Sequence, residues 1–438
     1  MDEIRFSFEW TPGDGVAARE LAATWARLEL WVGEECVTTV EDIDTGSARR
    51  SIYCPLYPLA EWVGFNWWLL QANTRPAAVA GALADRLDHP RLAHWNKHHN
   101  MRAAGDGFRW PNFVILPEGR TTRVVWRPDR RQPLSPIRYL PGGEAFIDAS
   151  QTTHVLAELV ELVLARLDEQ GISDSVLANE WRAITAASQD ERDFCIAAAR
   201  LGLDPYTLDD ELAARLESVG AELSDTLLAD FLDSVAPASI EGGLRWVDRV
   251  SRLIGQLEIP PDARLETLRM EAPRLPEPTD PLPWERGYRQ ATDVRSLFGL
   301  EPTQRFDASG MVTIKKRDSE DRGLQALGGL TPSDAGTLIL GRHVRQRDSS
   351  FAVARSLWHF AFDNAERFLL TTAHADRQRV ERSFAAELLA PAAGLNQVLN
   401  VEDGLVTTDD VSDAAEHFGV APFVVRHQIE NQLGLSVA

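Results

Sequence analysis

The sequence predicts an α+β protein of several domains, and three observations carry that prediction. In the first third, apolar residues alternate with polar ones in short runs, as in Phe6, Phe8 and Trp10, between segments of helical spacing. In the middle third only helical spacing occurs. The last third is mostly helical, with two short apolar runs, M-V-T-I at 311–314 and T-L-I-L at 337–340, that read as strands of a small sheet. These shifts divide the 438 residues into a Trp-rich mixed α/β domain at 1–150, a helical domain at 151–272, a Pro-rich linker at 273–283 and a mostly helical domain with a small sheet at 284–438.

Composition narrows the function classes. Hydrophobic content is 44% and charged content 25%, ordinary for a globular protein. Acidic residues outnumber basic ones by 66 to 45, a net charge of −21. That argues against broad binding to nucleic acid or anionic membranes, which needs a positive surface. No apolar run is long enough to span a bilayer, and the acidic start M-D-E-I-R-F lacks the apolar core of a signal peptide. Cys36, Cys54 and Cys195 form no C-x-x-C pair. A scattered odd set fits buried thiols in a reducing compartment, so we expect a cytoplasmic protein with no membrane partner.

In chain order, Phe6, Phe8 and Trp10 predict a strand. A helix is expected after Gly13-Asp14-Gly15, with Ala17, Leu21, Trp25 and Leu28 on one face. L-E-L-W-V and C-V-T-T-V around Gly33-Glu34-Glu35 predict a hairpin. Pro58 starts a helix bearing Leu59, Trp62, Val63, Asn66 and Leu70 at helical spacing. F-V-I-L and R-V-V-W around Pro117-Glu118-Gly119 predict a second hairpin. Between them, His94 and His98 stand one helical turn apart. A metal there needs a third ligand, such as His99 or a distant acid, and no flanking pattern supplies it. The plainer expectation is a polar helix end where His99 and Arg102 make structural hydrogen bonds. Trp62, Trp67 and Trp68 suit a stacking platform for a base or sugar. Trp62 lies on the apolar stripe, which favours the core instead.

From 151 to 272, Leu156, Leu159, Val160, Val163 and Leu167 give one amphipathic helix ending near Gly171. D-E-R-D-F-C-I-A-A-A-R-L-G-L gives another that stops at Gly202. Acidic residues fill the opposite faces, as in a helical bundle with a solvated exterior. Pro273, Pro276, Pro278, Pro281 and Pro283 then mark a stiff linker.

The C-terminal third opens with a helix bearing Tyr288, Ala291 and Val294 and capped by Gly299. In S-S-F-A-V-A-R-S-L-W-H-F-A-F, Phe351, Ala354, Trp358 and Phe362 recur at helical spacing. R-Q-R-V-E-R-S-F-A-A-E-L-L-A-P forms a second helix that stops at Pro391. These two segments, with the helix near Tyr288, resemble the ImmA/IrrE family of zinc-dependent, zincin-like peptidases, over roughly Trp284 to the C-terminus. In that family the first helix carries H-E-x-x-H, and the second carries an acidic ligand shortly before F-A-A-E-L-L-x-P.

The resemblance places Arg355-Ser356-Leu357-Trp358-His359 where that motif belongs, and Gln378 near the acidic ligand. Two histidines four apart can pinch one Zn²⁺ while the glutamate activates its water. Arg355 is permanently protonated and offers no lone pair. Ser356 is no general base at neutral pH, and Gln378 offers only a neutral carbonyl. The site is therefore expected to be degenerate and without metal, with Arg355 in the cation's space, paired to an inward acid such as Glu381 or Glu387. The alternative is a zinc site in which His359 joins His343, His374 or another acid.

The end of the chain has helix–turn–helix spacing. Thr407 to Asp410 form a capping-box start, Val411, Ala414, Ala415 and Phe418 an apolar face, and Pro422 opens the next helix. Arg426, His427, Gln428 and Asn431 would face outward towards DNA, but the acids at 409, 410, 413, 416 and 430 oppose it. The expectation that emerges is a cytoplasmic regulatory or defence-associated protein that acts on a protein partner. The alternatives are an active metallo-endopeptidase with substitute ligands and a DNA-binding regulator.

Overall fold

The computed structural model describes residues 2–73, 92–129, 135–319, 321–345, 349–363, 365–399 and 405–437. Helices and several small sheets make up an α+β protein. The chain separates into two compact units, Met1–Leu216 and Glu217–Ala438. The division falls inside the helix Asp210–Glu222, neither at residue 150 nor at the Pro-rich segment. Core sharing explains the difference. Leu156, Leu159, Val160 and Val163 pack into the same cluster as Leu28 and Leu30, so the first helices of 151–272 complete the N-terminal core. Leu265, Leu268 and Ala272 pack with Ala291, Val294 and Phe384, so residues 273–283 lie within the second unit.

In the first unit, Ile4–Trp10 pairs antiparallel with Trp25–Val32, which also pairs with Glu35–Cys36 and Ile52–Pro55. The helix expected through Leu28 is confined to Arg19–Ala23. Trp25 and Leu28 belong to the strand instead. The run W-A-R-L-E-L-W-V satisfies a period of two as well as a helical stripe, and pairing with Ile4–Trp10 decides between them. Val32 pairs with Glu35, so the hairpin turns on Gly33-Glu34, with Gly33 at a positive φ of 53°. The second hairpin joins Asn112–Pro117 to Thr121–Arg127, and Gly143–Asp148 adds a third strand. Helix Ala149–Glu169 starts at Asp148, whose carboxylate accepts from the backbone N–H of Ser150 and Gln151.

The second unit is built on a four-stranded sheet in the order Thr313–Arg317, Gly336–Gly341, Leu324–Leu330, Arg367–Thr371. The first pair is parallel and the other two are antiparallel. The strand expected at 337–340 is present as Gly336–Gly341, whereas of the run expected at 311–314 only Thr313 and Ile314 enter a strand, which continues to Arg317. The other two were not anticipated: Leu324–Leu330 contains Gly328 and Gly329, which weaken a strand signal, and Arg367–Thr371 carries no alternating pattern. Helix Ser349–Trp358 continues as a π-helical turn, His359–Asp363, and lies beside helix Asp376–Leu389. Helix Pro283–Leu297 packs so closely on the latter that a Cβ at Gly287 would collide with Ser383 Oγ and Val380 O. Buried Arg295 ties the two ends together, donating to the carbonyls of Leu388 (2.8 Å), Glu301 (2.7 Å) and Gln304 (2.7 Å).

The C-terminal helices are Thr408–Phe418 and Pro422–Gln428, separated by Gly419 in the left-handed region. Thr407 and Asp410 form the capping box, each side chain bonding the other's backbone N–H. Glu387 fastens this pair to helix Asp376–Leu389 by accepting from Gln428 Nε2 (2.7 Å), Gln432 Nε2 (2.6 Å) and Ala392 N (3.1 Å).

Candidate functional site

Helical spacing puts Arg355 and His359 on one face, and that face is buried: they are 4% and 1% exposed. Opposite them, helix Asp376–Leu389 presents Arg377, Gln378, Glu381 and Arg382. Arg355 Nε donates to Glu381 Oε1 at 3.1 Å, and Nη2 donates to the same oxygen. Its remaining donors reach Gln325 Oε1 at 2.5 Å and Thr371 O at 3.0 Å, so the guanidinium is fixed from three sides.

The other Glu381 oxygen, Oε2, lies 2.6 Å from His359 Nε2. His359 Nδ1 lies 2.9 Å from Asp363 Oδ2, and the ring stacks on Phe368 with centroids 4.3 Å apart. Nδ1 also lies 3.2 Å from Arg377 Nη2, so both ring nitrogens of His359 are engaged by neighbouring side chains. Beyond it, Arg377 bridges Asp363 and Asp230, the latter from helix Asp225–Leu232. The result is a connected chain of ionisable side chains: Asp230, Arg377, Asp363, His359, Glu381, Arg355. Such a chain satisfies buried charges that would each be costly alone.

The electrostatics follow from this geometry. Burial pushes the Glu381 carboxyl up, but Arg355 and then His359 outweigh it and hold it at about 2. Burial likewise opposes ionisation of Asp363, and His359 and Arg377 hold it below the usual carboxylate range. Asp230 sits at the end with Arg377 as its main counter-charge, and burial wins there, pushing it up to about 7. Burial also lowers Arg382, to about 9, with Arg355 adding repulsion. Its Nη2 donates to Thr371 O at 2.9 Å.

This donor set does not fit a zinc ion. Both imidazole nitrogens are engaged within the protein, Nε2 by Glu381 and Nδ1 by Asp363 and Arg377, and Arg355 has no lone pair to give. Gln378, expected near the third ligand, turns its amide to Asp230 and not to His359. Glu381, one turn later on the same helix, is the residue that faces His359. Of the two acids expected to pair with Arg355, Glu381 does so, whereas Glu387 serves the C-terminal helices. Ser356 is fully buried and its hydroxyl donates to Val353 O at 2.7 Å. Among the described residues, no group of three or more His, Cys, Asp or Glu is arranged to hold a metal ion.

The remaining candidates lie elsewhere. His94 and His98 rings are 5.1 Å apart, and His98 Nδ1 is 2.6 Å from Asn66 Oδ1. His99 is fully buried between Ile115 O and Asn73 Oδ1, both at 3.0 Å, and burial drives it down to about 3, a neutral structural histidine. Arg102 pairs with Asp129 at 2.5 Å. Trp62, Trp67 and Trp68 are all buried, with Trp62 Nε1 donating to Lys97 O and Trp67 packed edge-on against Trp181. They serve the core and leave no face for a base. Arg426, His427 and Asn431 are exposed, but Asn431 spends its amide on His427 O at 2.7 Å; Gln428, expected to face outward, is fully buried and donates to Glu387 and Ala390 O.

Sequence reasoning missed Asp230, Asp363 and Arg377. Asp363 had a signal, since it follows His359 by one turn. Asp230 had none, because tertiary folding alone brings it over from a helix nearly 150 residues away in sequence. No protein-family model matches this chain, and no curated protein matches it.

No helix among the described residues is long and apolar enough to cross a membrane. Cys36, Cys54 and Cys195 are free and buried.

Proposed function

We propose that this protein acts by binding another protein, as a cytoplasmic regulatory or defence-associated member of the ImmA/IrrE type whose peptidase site has become an internal ion chain. One observation carries this reading. Glu381 is claimed by Arg355 and His359 together, so that its two oxygens and the imidazole are used up within the protein. A water-activating centre needs a ligand lone pair and an accessible base. Here both nitrogens of the histidine are engaged by side chains, the carboxylate is held at about 2, and both are buried. The free buried thiols agree with a reducing compartment.

Metal analysis of the purified chain, together with a fluorescent casein digest, tests the proposal. We expect zinc well below one equivalent and no cleavage. Stoichiometric zinc that is lost on His359→Ala would overturn it and restore hydrolysis as the leading function.

A further inference from the structure

The π-helical turn that holds His359 has a second face. His359 points into the ion chain, while Phe360, Ala361 and Phe362 line a groove of about 850 Å³. The opposite wall is the Pro-rich segment, with Leu275, Pro276 and Pro278, and Met270 beside it is 59% exposed. Volumes of a few hundred to a thousand Å³ are typical of sites that enclose a small ligand or a few residues of peptide. π-helical turns concentrate at functional sites.

The rim has a sign. Glu266, Glu277 and Asp334 line the groove against one cation, Arg269, whose guanidinium lies 3.8 Å from Asp334 and is largely answered by it. Gln290, also in the lining, accepts from Trp358 Nε1 at 2.9 Å, so the groove and the ion chain share a helix.

We infer that this groove binds a short extended segment of a partner protein in which apolar side chains alternate with lysine or arginine. The apolar residues would seat against Met270, Leu275 and Phe360, and the cations would meet Glu266 and Glu277. Prolines restrict the backbone of this wall, so little entropy is lost when a segment seats against it. This inference rests on the protein-binding reading above.

Fluorescence anisotropy with a fluorescein-labelled Lys-Leu-Lys-Leu-Lys-Leu peptide tests it, at low and at physiological salt. Controls replace lysine by glutamate, or leucine by serine. Glu266→Lys combined with Glu277→Lys reverses the rim at two exposed positions, and Met270→Asp spoils the apolar seat. We expect saturable binding of the Lys-Leu peptide alone, weakened at least about tenfold by either variant. No saturable binding, or equal binding to the wild type and both variants, overturns the inference. Mass spectrometry of the recovered peptide separates the two proposals: cleavage would sink the non-enzymatic reading and leave the groove standing.

Discussion

Arg355 and Glu381 meet with two donors of one guanidinium on a single carboxylate oxygen, leaving the second oxygen to His359 at 2.6 Å. The pair is 5% and 1% exposed at its side chains, so neither partner has water to fall back on. Breaking such a pair from one side leaves an uncompensated buried charge, which typically costs about 3–5 kcal/mol. Arg355→Met and Glu381→Gln should each destabilise the second unit by about that much in urea denaturation. The double variant should lose less than the sum of the two. Additive losses would mean that the residues are not coupled.

The same relationship makes a gain-of-function prediction. Arg355→His removes the fixed cation and places a second imidazole one turn from His359, with Glu381 already on that side. Cobalt titration, followed by visible absorption, should show one tight site in this variant. The wild type should show no such site.

Acid should act on the two units over different pH ranges. His99 is neutral in the fold with its pKa depressed from 6.5 to about 3. Its contribution is therefore present above pH 6.5 and is lost as pH falls towards 3, by roughly 5 kcal/mol at most. Glu381, depressed from 4.5 to about 2, contributes above pH 4.5 and loses that contribution, roughly 3 kcal/mol, as pH falls towards 2. Hydrogen exchange read by mass spectrometry should show the His99 region loosening first. His99→Gln should flatten the response of the first unit between pH 6.5 and 4.

Asp230 runs in the opposite direction. Its pKa is raised from 3.8 to about 7, so the fold favours the protonated acid. Stability from this group is full below pH 3.8 and falls as pH rises through 7. Asp230→Asn should abolish that decline between about pH 3.8 and 7 around helix Asp225–Leu232, as measured by local hydrogen exchange across that range. An unchanged decline would mean that the carboxyl is ionised throughout.

DNA contact through the C-terminal helices has its own test. Arg426, His427 and Asn431 are exposed, so Arg426→Ala should leave thermal stability unchanged. We expect no salt-dependent gel shift for either protein. A shift abolished by that substitution would establish nucleic-acid binding.

What could be read in advance depended on how local the determinant was. The capping box at Thr407 and Asp410, the helix stops at Gly171, Gly202 and Gly299, and the hairpin around Gly119 are encoded within a few residues. The strand Trp25–Val32 was misread as part of a helix, because Trp25 and Leu28 fit both periods and only a partner strand distinguishes them. The Pro-rich segment looked like a linker by composition, yet Leu265, Leu268 and Ala272 just before it anchor it in the second core.

At the candidate site, the sequence alone determined that a permanent cation stands four residues before His359 and that no glutamate follows it. Charge and spacing are properties of one helix, so they need no fold to be known. Which acid answers that cation was a tertiary matter. Glu381 and not Gln378 faces His359, and Asp230 closes the far end of the ion chain, because the rotation of helix Asp376–Leu389 against its neighbours sets which side chains point inward. Pairing in a buried site is fixed by distance in space, and separation along the chain carries no record of it.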